Sequence, residues 1–481
     1  MKIRSASASA SASTYVDGPI GRTMIRTAFS MLAGTLAVSG YNIADTWFVS
    51  RLGTVQLAAM GFTFPVIMLI GCVYRGLCIG VMTPTAHALG GRKRNKAARL
   101  VTSGLMLMML ASLLIGVSGA LSVEPVFRLC GAGKSVMPYV LQYMLIWYLG
   151  SFTGTLGMAA NDLLITAGNS FAASMLMLAG LGLNILLDPL FIFGGFGFPA
   201  MGVAGAALAT VISQAACAGV ALRLLQVRHR LIASPRIPRD VLLRAWRVVI
   251  RFAIPAMLGM VLMPIGSAVV TRVVASFGDA AVAAVAAASR LEVVAFVFPM
   301  ALGIALMPMV AQNYGAKRFD RINQCRRFAM RFAGSFLLAA AVVYFVSAPY
   351  IVGWFSQDPE VKRIMVVYLR IVSFGFAAVE IHRFSGFFFT GCGRPAAAAL
   401  LNALRVVVLL VPFTLLALWA GSLTLVFWAR LAADLLAGAI ACFAATRMTR
   451  RLRAEPFRRP REAADELRLD TANETFGESG R

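Results

Sequence analysis

Residues 170–193 read SFAASMLMLAGLGLNILLDPLFIF, an apolar run between Asn169 and Gly194 that carries one charged side chain, Asp188. A helix needs about 20 mainly apolar residues to cross the ~30 Å hydrocarbon core of a bilayer, and this run is long enough. It is too long and too unalternating for a barrel strand. Working outwards in both directions, twelve such runs emerge. Six lie near residues 24–49, 55–83, 100–122, 136–160, 170–193 and 202–226, and six near 248–275, 280–306, 328–350, 361–389, 396–418 and 422–446. The expected fold is an all-α polytopic membrane protein with twelve transmembrane helices.

Composition points the same way. Of 481 residues, 59% are hydrophobic and only 14% charged, against roughly 25% in soluble chains, which excludes an aqueous multidomain enzyme. The net charge of +25, from 45 Lys and Arg against 20 Asp and Glu, would ordinarily suggest nucleic acid. Its distribution suggests topology instead. Basic residues collect after the second run (Arg92, Lys93, Arg94, Lys96, Arg99), after the sixth (Arg223 to Arg251) and after the eighth (Lys317, Arg318, Arg321, Arg326, Arg327, Arg331), while the alternate loops are nearly bare. Short basic loops stay in the cytoplasm, so both termini are expected there, with the excess charge facing anionic lipid headgroups. Nucleic acid is not an expected partner.

The expected organisation is a low-complexity cytoplasmic arm (1–23), a six-helix lobe (24–226), a basic linker (227–247), a second six-helix lobe (248–446) and a cytoplasmic tail (447–481). The two lobes repeat each other. Gly278, Gly315 and Gly393 follow Gly53, Gly90 and Gly168 at one constant displacement of 225 positions, as Thr271 follows Thr46 and Ala283 follows Ala58. Six spans is an even number, so both copies share one topology and are related by a pseudo-two-fold axis along the membrane normal. Two like-oriented bundles with a cleft between them form the plan of an alternating-access transporter.

Ionisable groups inside the hydrocarbon are unfavourable by at least ~2.5 kcal/mol and are functional candidates by default. Asp45 lies deep in the first span and Asp188 in the fifth. Asn184 stands one helical turn before Asp188 on the same face, and Pro189 frees a backbone carbonyl beside it. Together they suit a cation or proton site; the alternative is that each Asp only hydrogen-bonds a neighbouring helix. Glu292 and Glu380 are secondary candidates, with Arg290, Arg370, Arg383 and Arg430 available to absorb acids as structural pairs, Asp434 among them. His87 and His229, at or beyond span ends, read as solvated loop residues. The seven scattered cysteines form no CxxC and no zinc-type spacing, so neither a disulfide framework nor a metal site is expected. Gly131-Ala132-Gly133-Lys134-Ser135 mimics the end of a P-loop, but Arg128 stands where a further Gly is required. No catalytic residue and no cofactor are expected.

The twelve spans, with Asp45-Thr46-Trp47-Phe48-Val49-Ser50-Arg51-Leu52-Gly53, the Asn184–Gly194 block, Gly202-Val203-Ala204-Gly205-Ala206-Ala207-Leu208-Ala209-Thr210 and Gln312–Arg318, resemble the multidrug and toxic compound extrusion (MATE) family over residues 24–446. The resemblance implies a monomeric carrier in a bacterial-type inner membrane, exporting organic cations or other toxic compounds against inward H⁺ or Na⁺. It also implies an amino-lobe cation site at Asp45, Tyr143, Asn184, Asp188 and Thr210. The seventh-span glutamate of the Na⁺-coupled NorM branch is missing, since Met263 and Pro264 stand near its place. That favours a DinF-like branch and proton coupling. A flippase for lipids or lipid-linked oligosaccharides shares the broad plan, and Arg272, Arg290 and Arg383 leave it open.

Overall fold

The computed structural model describes residues 15–195, 197–234 and 237–454. The extreme amino-terminal repeat and the tail from 455 onwards, with Arg458, Arg459 and Arg461, lie outside the described residues. The first half consists of α1 (Ile20–Ser50), α2 (Thr54–Gly90), α3 (Arg94–Leu129), α4 (Met137–Thr166), α5 (Ser170–Phe193) and α6 (Val203–Val227). The second half consists of α7 (Arg239–Ala275), α8 (Asp279–Gly315), α9 (Phe319–Ile351), α10 (Pro359–Val372), α11 (Phe376–Gly391), α12 (Pro395–Ala403), α13 (Val411–Trp419) and α14 (Leu423–Ala454). A 3₁₀ turn, Ser373–Gly375, joins α10 to α11, and a π-helical turn, Leu404–Leu410, joins α12 to α13. Each of these two pairs makes one span, so twelve helical spans result. Ten are long and apolar enough by themselves to cross a membrane; α1 and α4, at 31 and 30 residues, complete the set.

The helices overshoot the apolar runs. α2 continues to Gly90 and α3 begins at Arg94, so their ends carry the basic side chains beyond the hydrocarbon. The basic linker is itself partly helical: α7 starts at Arg239, where Arg244 pairs with Asp240 one turn away. Leu121, Trp354 and Trp419 are largely exposed, the outward apolar surface of a bilayer protein with aromatic residues at span ends.

Helix boundaries obey the internal repeat. α2 and α8 begin at Thr54 and Asp279 and end at Gly90 and Gly315, all 225 positions apart. Their closing turns are copies: Lys93 N–H donates to Ala88 O at 2.8 Å, and Arg318 N–H to Asn313 O at 2.8 Å. Arg92 and Lys317 occupy the left-handed region at φ 59° in both copies. The α4–α5 turn and its counterpart likewise turn on Gly168 and Gly393, at φ 84° and 78°, the left-handed helix stop that glycine favours. Asn169 then caps α5 by accepting from Ala172 N at 3.3 Å, and Asp358 caps α10 from Glu360 N and Val361 N.

Two compact units result. The first comprises residues 15–17 and Phe29–Ile254; the second comprises Gly18–Ala28 and residues 255–454. The opening turns of α1 therefore belong to the second unit, where Arg321 donates to Gly18 O at 2.5 Å.

The histidine expectation needs correction. His229 is buried, not solvated: its Nε2 lies 3.3 Å from Asn169 Nδ2, and Arg94 donates to its carbonyl. Nearby, Ala233 N–H donates to Thr102 Oγ1 at 2.8 Å and Trp246 Nε1 to Ser103 O at 2.8 Å, so the segment after α6 is strapped onto α3. Burial, aided by Arg228 and Arg94, pushes the His229 imidazole down to about 4. His87 is half-buried with its ring 6.2 Å from that of Phe252.

Candidate functional site: a buried carboxyl pair in the first unit

Two close approaches of backbone build the site. On α1, a Cβ at Gly34 would stand 2.7 Å from Met177 Sδ and 3.1 Å from Ser174 Oγ, so only the missing side chain lets α1 lie against α5. On α6, a Cβ at Gly205 would stand 2.3 Å from Phe191 O, and the chain before α6 is tied back by Met201 N to Phe191 O at 2.9 Å and Gly202 N to Ile192 O at 3.0 Å. Small residues at such crossings are the usual device where no hydrophobic force draws helices together. The consequence is that α1, α5 and α6 bring Asp45, Asn184, Asp188 and Thr210 to one place, with Tyr143 of α4 beside them.

All five are buried: Asp188 and Asn184 at 0% exposure, Thr210 and Tyr143 at 4%, Asp45 at 6%. Thr210 Oγ1 donates to Asp45 Oδ2 at 3.4 Å, and Asn184 Nδ2 donates to Asp188 Oδ1 at 3.2 Å. The two carboxyl groups are close enough to interact with each other, and Asn184 stands near both. The buried Tyr143 stands near enough to both acids to feel their charge. Asp45 Oδ1, Asp188 Oδ2 and Asn184 Oδ1 are buried acceptors without a hydrogen-bond partner. Among the described residues no Lys or Arg forms an ion pair with either carboxylate. Each buried unsatisfied acceptor is unfavourable by about 1–3 kcal/mol, and two adjacent carboxylates repel. A cation placed among these oxygens relieves both penalties. The site lies within roughly two turns of the helix ends joined by the loops at 51–53, 130–136 and 194–202.

Tyr41 was not singled out by the sequence, yet its hydroxyl is buried without a hydrogen-bond partner beside Asp45 and Thr210. The signal was present, since Tyr41 stands one helical turn before Asp45 on the same face. Asp162 also escaped notice. It is buried in α4 and receives Arg75 NH1 at 2.8 Å, so its charge is matched. Among the described residues no group of three or more His, Cys, Asp or Glu side chains is placed to hold a metal ion.

The secondary candidates sit differently. Glu292 on α8 meets Arg430 NH2 at 2.8 Å and accepts from the Tyr368 hydroxyl. Glu380 on α11 is fully buried and paired with Arg383 of the next turn. Asp434 on α14 accepts from Arg405 Nε at 3.0 Å and NH2 at 2.8 Å, with Arg430 Nε at 3.9 Å. The second unit thus matches each of these acids with an arginine.

With that geometry in place, the likeness to known proteins has a physical basis. The chain matches the MatE family over residues 31–190 and 255–416. It belongs to the MatE family. It is 31% identical over 430 residues to the FAD transporter of Shewanella oneidensis, covering 89% of this chain and 94% of that protein. It is 25% identical over 431 residues to the multidrug export protein MepA of Staphylococcus aureus, covering 87% and 92%. Among solved structures, the Vibrio cholerae MATE transporter VcmN in its bent form superposes with a TM-score of 0.83 at 28% identity over 92% of this chain and 98% of that one. This MatE protein is a multi-pass membrane transporter and not an enzyme, and the twelve-helix, two-lobe fold expected from its sequence is that of its structural neighbours.

Proposed function

We propose that this MatE protein is a secondary active efflux transporter, exchanging an organic cation or other toxic small molecule for H⁺ by alternating access, with the Asp45–Asp188 pair as the coupling site. The observation that carries this reading is the pair of adjacent buried carboxyls with unpaired oxygens and no basic partner. Two such groups titrate as one coupled system. When the pair holds one proton, a carboxyl O–H of one acid donates to the other, which satisfies two of the lone acceptors and halves the buried charge. When the proton leaves, Asp45, Asp188, Asn184 and Thr210 present an acceptor cage for a cationic group. Proton and substrate therefore compete for the same oxygens, and entry of a proton from outside drives release. In this scheme the chain acts as a monomer in the cytoplasmic membrane, with both termini and the basic loops inside.

Antiport in proteoliposomes under an imposed ΔpH, and separately under ΔNa⁺, tests the scheme. Release of a fluorescent cation under ΔpH alone, abolished by Asp45→Asn and by Asp188→Asn in folded protein, is the expected result. Exchange at the parental rate in both variants would overturn it.

A second substrate reading has its own support, because the Shewanella relative is named as a FAD transporter and matches over nearly its whole length. Under that reading the exported molecule is a flavin dinucleotide. Vesicles loaded in parallel with FAD and with a cationic dye separate the two, since the true substrate saturates and competes while the other does not.

A further inference from the structure

The internal repeat pairs two buried tyrosines. Tyr368 follows Tyr143 by the same 225 positions that separate α2 from α8, and both rings are buried, at 1% and 4% exposure. In the first unit Tyr143 looks onto two acids without a basic partner. In the second, Tyr368 donates to Glu292 Oε1 and accepts from Arg430 NH1. Arg430 NH2 lies 2.8 Å from Glu292 Oε2, and its guanidinium carbon stands 5.6 Å from the Tyr368 ring centre. Behind it, Arg430 Nε lies 3.9 Å from Asp434 Oδ2, and Asp434 is held in turn by two bonds from Arg405. Tyr344 also stands near Glu292, and its hydroxyl donates to Leu291 O at 2.8 Å.

We infer that Arg430 is a tethered counter-cation: its guanidinium occupies the position between Glu292 and the repeat-equivalent Tyr368 that a cation in the second unit would need, so that coupling ions bind in the first unit alone. Three features carry this. The guanidinium touches the repeat-equivalent tyrosine and the acid beside it, which is where a mobile cation would have to stand. Glu292, Arg430, Asp434 and Arg405 make two acids against two bases, so the chain of pairs is neutral as built. A guanidinium cannot give up its proton and, if displaced, leaves a half-buried charge unpaired, so neither a proton nor Na⁺ can substitute for it without a larger loss. The role of Arg430 is thus to set the number of coupling ions, and it is a positioning residue, not a ligand of substrate.

The inference rests on the coupling role proposed for Asp45 and Asp188, and its test separates the two. The purified full chain in detergent is assayed for proton uptake on acidification and for ²²Na⁺ binding. With the first site removed by Asp45→Asn and Asp188→Asn, adding Glu292→Gln should change neither quantity. Adding Arg430→Gln instead should create one new cation equivalent per chain, which Glu292→Gln then abolishes and which Arg430→Lys does not produce. Because Arg430→Gln alone leaves an unmatched acid and can impair folding, a second arm uses the neutral double substitution Glu292→Gln with Arg430→Gln in the otherwise parental chain. It should leave the number of coupling ions moved per substrate unchanged. A Glu292-dependent cation in the chain that retains Arg430, no gain from Arg430→Gln in folded protein, or a changed ion count in the double variant would each overturn the inference. Full coupled exchange by the Asp45→Asn and Asp188→Asn proteins would instead overturn the coupling role of the first unit.

Discussion

Tyr143 and Tyr368 stand at the same place in the repeated plan, yet one faces two acids left without a base and the other faces an acid already matched by an arginine. The left-handed closing turns at Arg92 and Lys317 are alike in both copies, but the spans that carry Tyr368 and Arg405 are interrupted by a 3₁₀ and a π-helical turn where their first-unit counterparts are continuous. What differs is where the counter-charge comes from. In the second unit it is covalent and permanent, so the acids stabilise the fold. In the first no Lys or Arg supplies it among the described residues, so in the proposed scheme it comes from solution. The repeated scaffold places different acids in its two halves, since Asp45 and Asp188 fall on Val270 and Phe413 while Glu292 and Asp434 fall on Ile67 and Ala209, and only the second half supplies them with arginines.

This contrast is open to direct attack. The largest stability effect is expected from breaking the second-unit pairs: Asp434→Asn, which leaves Arg405 buried and half-satisfied, should destabilise the protein by about 3–5 kcal/mol, read as a large fall in melting temperature in detergent. Asp45→Asn should do the opposite to stability while removing function. Coupled transport should fall about 100-fold, the melting temperature should hold or rise slightly because an unpaired buried carboxylate has gone, and the pH dependence of substrate binding should flatten. If Asp45→Asn melted as early as Asp434→Asn, the two acids would play the same structural role and the contrast would fail.

Smaller effects sharpen the picture. Gly205→Ala places a methyl 2.3 Å from Phe191 O, so α6 must move away from α5; a loss of about 1–3 kcal/mol and a weaker substrate affinity should accompany it, because Thr210 moves with α6. The smallest effect concerns His229, just after α6 in the first unit. Its imidazole is held down to about 4 by burial and by Arg228 and Arg94, against about 6.5 when unfolded. The unfolded chain therefore binds the extra proton first, and stability is retained above about 6.5 and lost as pH falls from there towards 4. Melting between pH 7 and pH 5 should drop by an amount equivalent to at most about 2 kcal/mol, and His229→Asn should flatten that slope.

Much of this was legible in the sequence. Apolar runs of span length, the constant displacement of Gly53, Gly90 and Gly168 onto Gly278, Gly315 and Gly393, and the isolation of Asp45 and Asp188 in hydrocarbon all follow from one-dimensional spacing. The i,i+4 relation of Asn184 to Asp188 was readable because both lie on one helix. Asp434 was harder. Its neighbour Arg430 is one turn away and looked like its partner, but the closer contact is Arg405, contributed by the π-helical turn of a different span. The pairing of Arg75 with Asp162, across α2 and α4, was likewise invisible.

By itself, then, the sequence determined that this protein spans a membrane, that it is built from two copies of one six-helix plan, and that a few acids lie where charge is unfavourable. Only the tertiary structure decided which of those acids are paired with an arginine. The reason is physical: burial of a carboxylate depends on its own helix, whose period the sequence records, whereas the partners of Asp45, Asp162, Glu292 and Asp434 come from other helices, brought to the same place by packing that the sequence does not record.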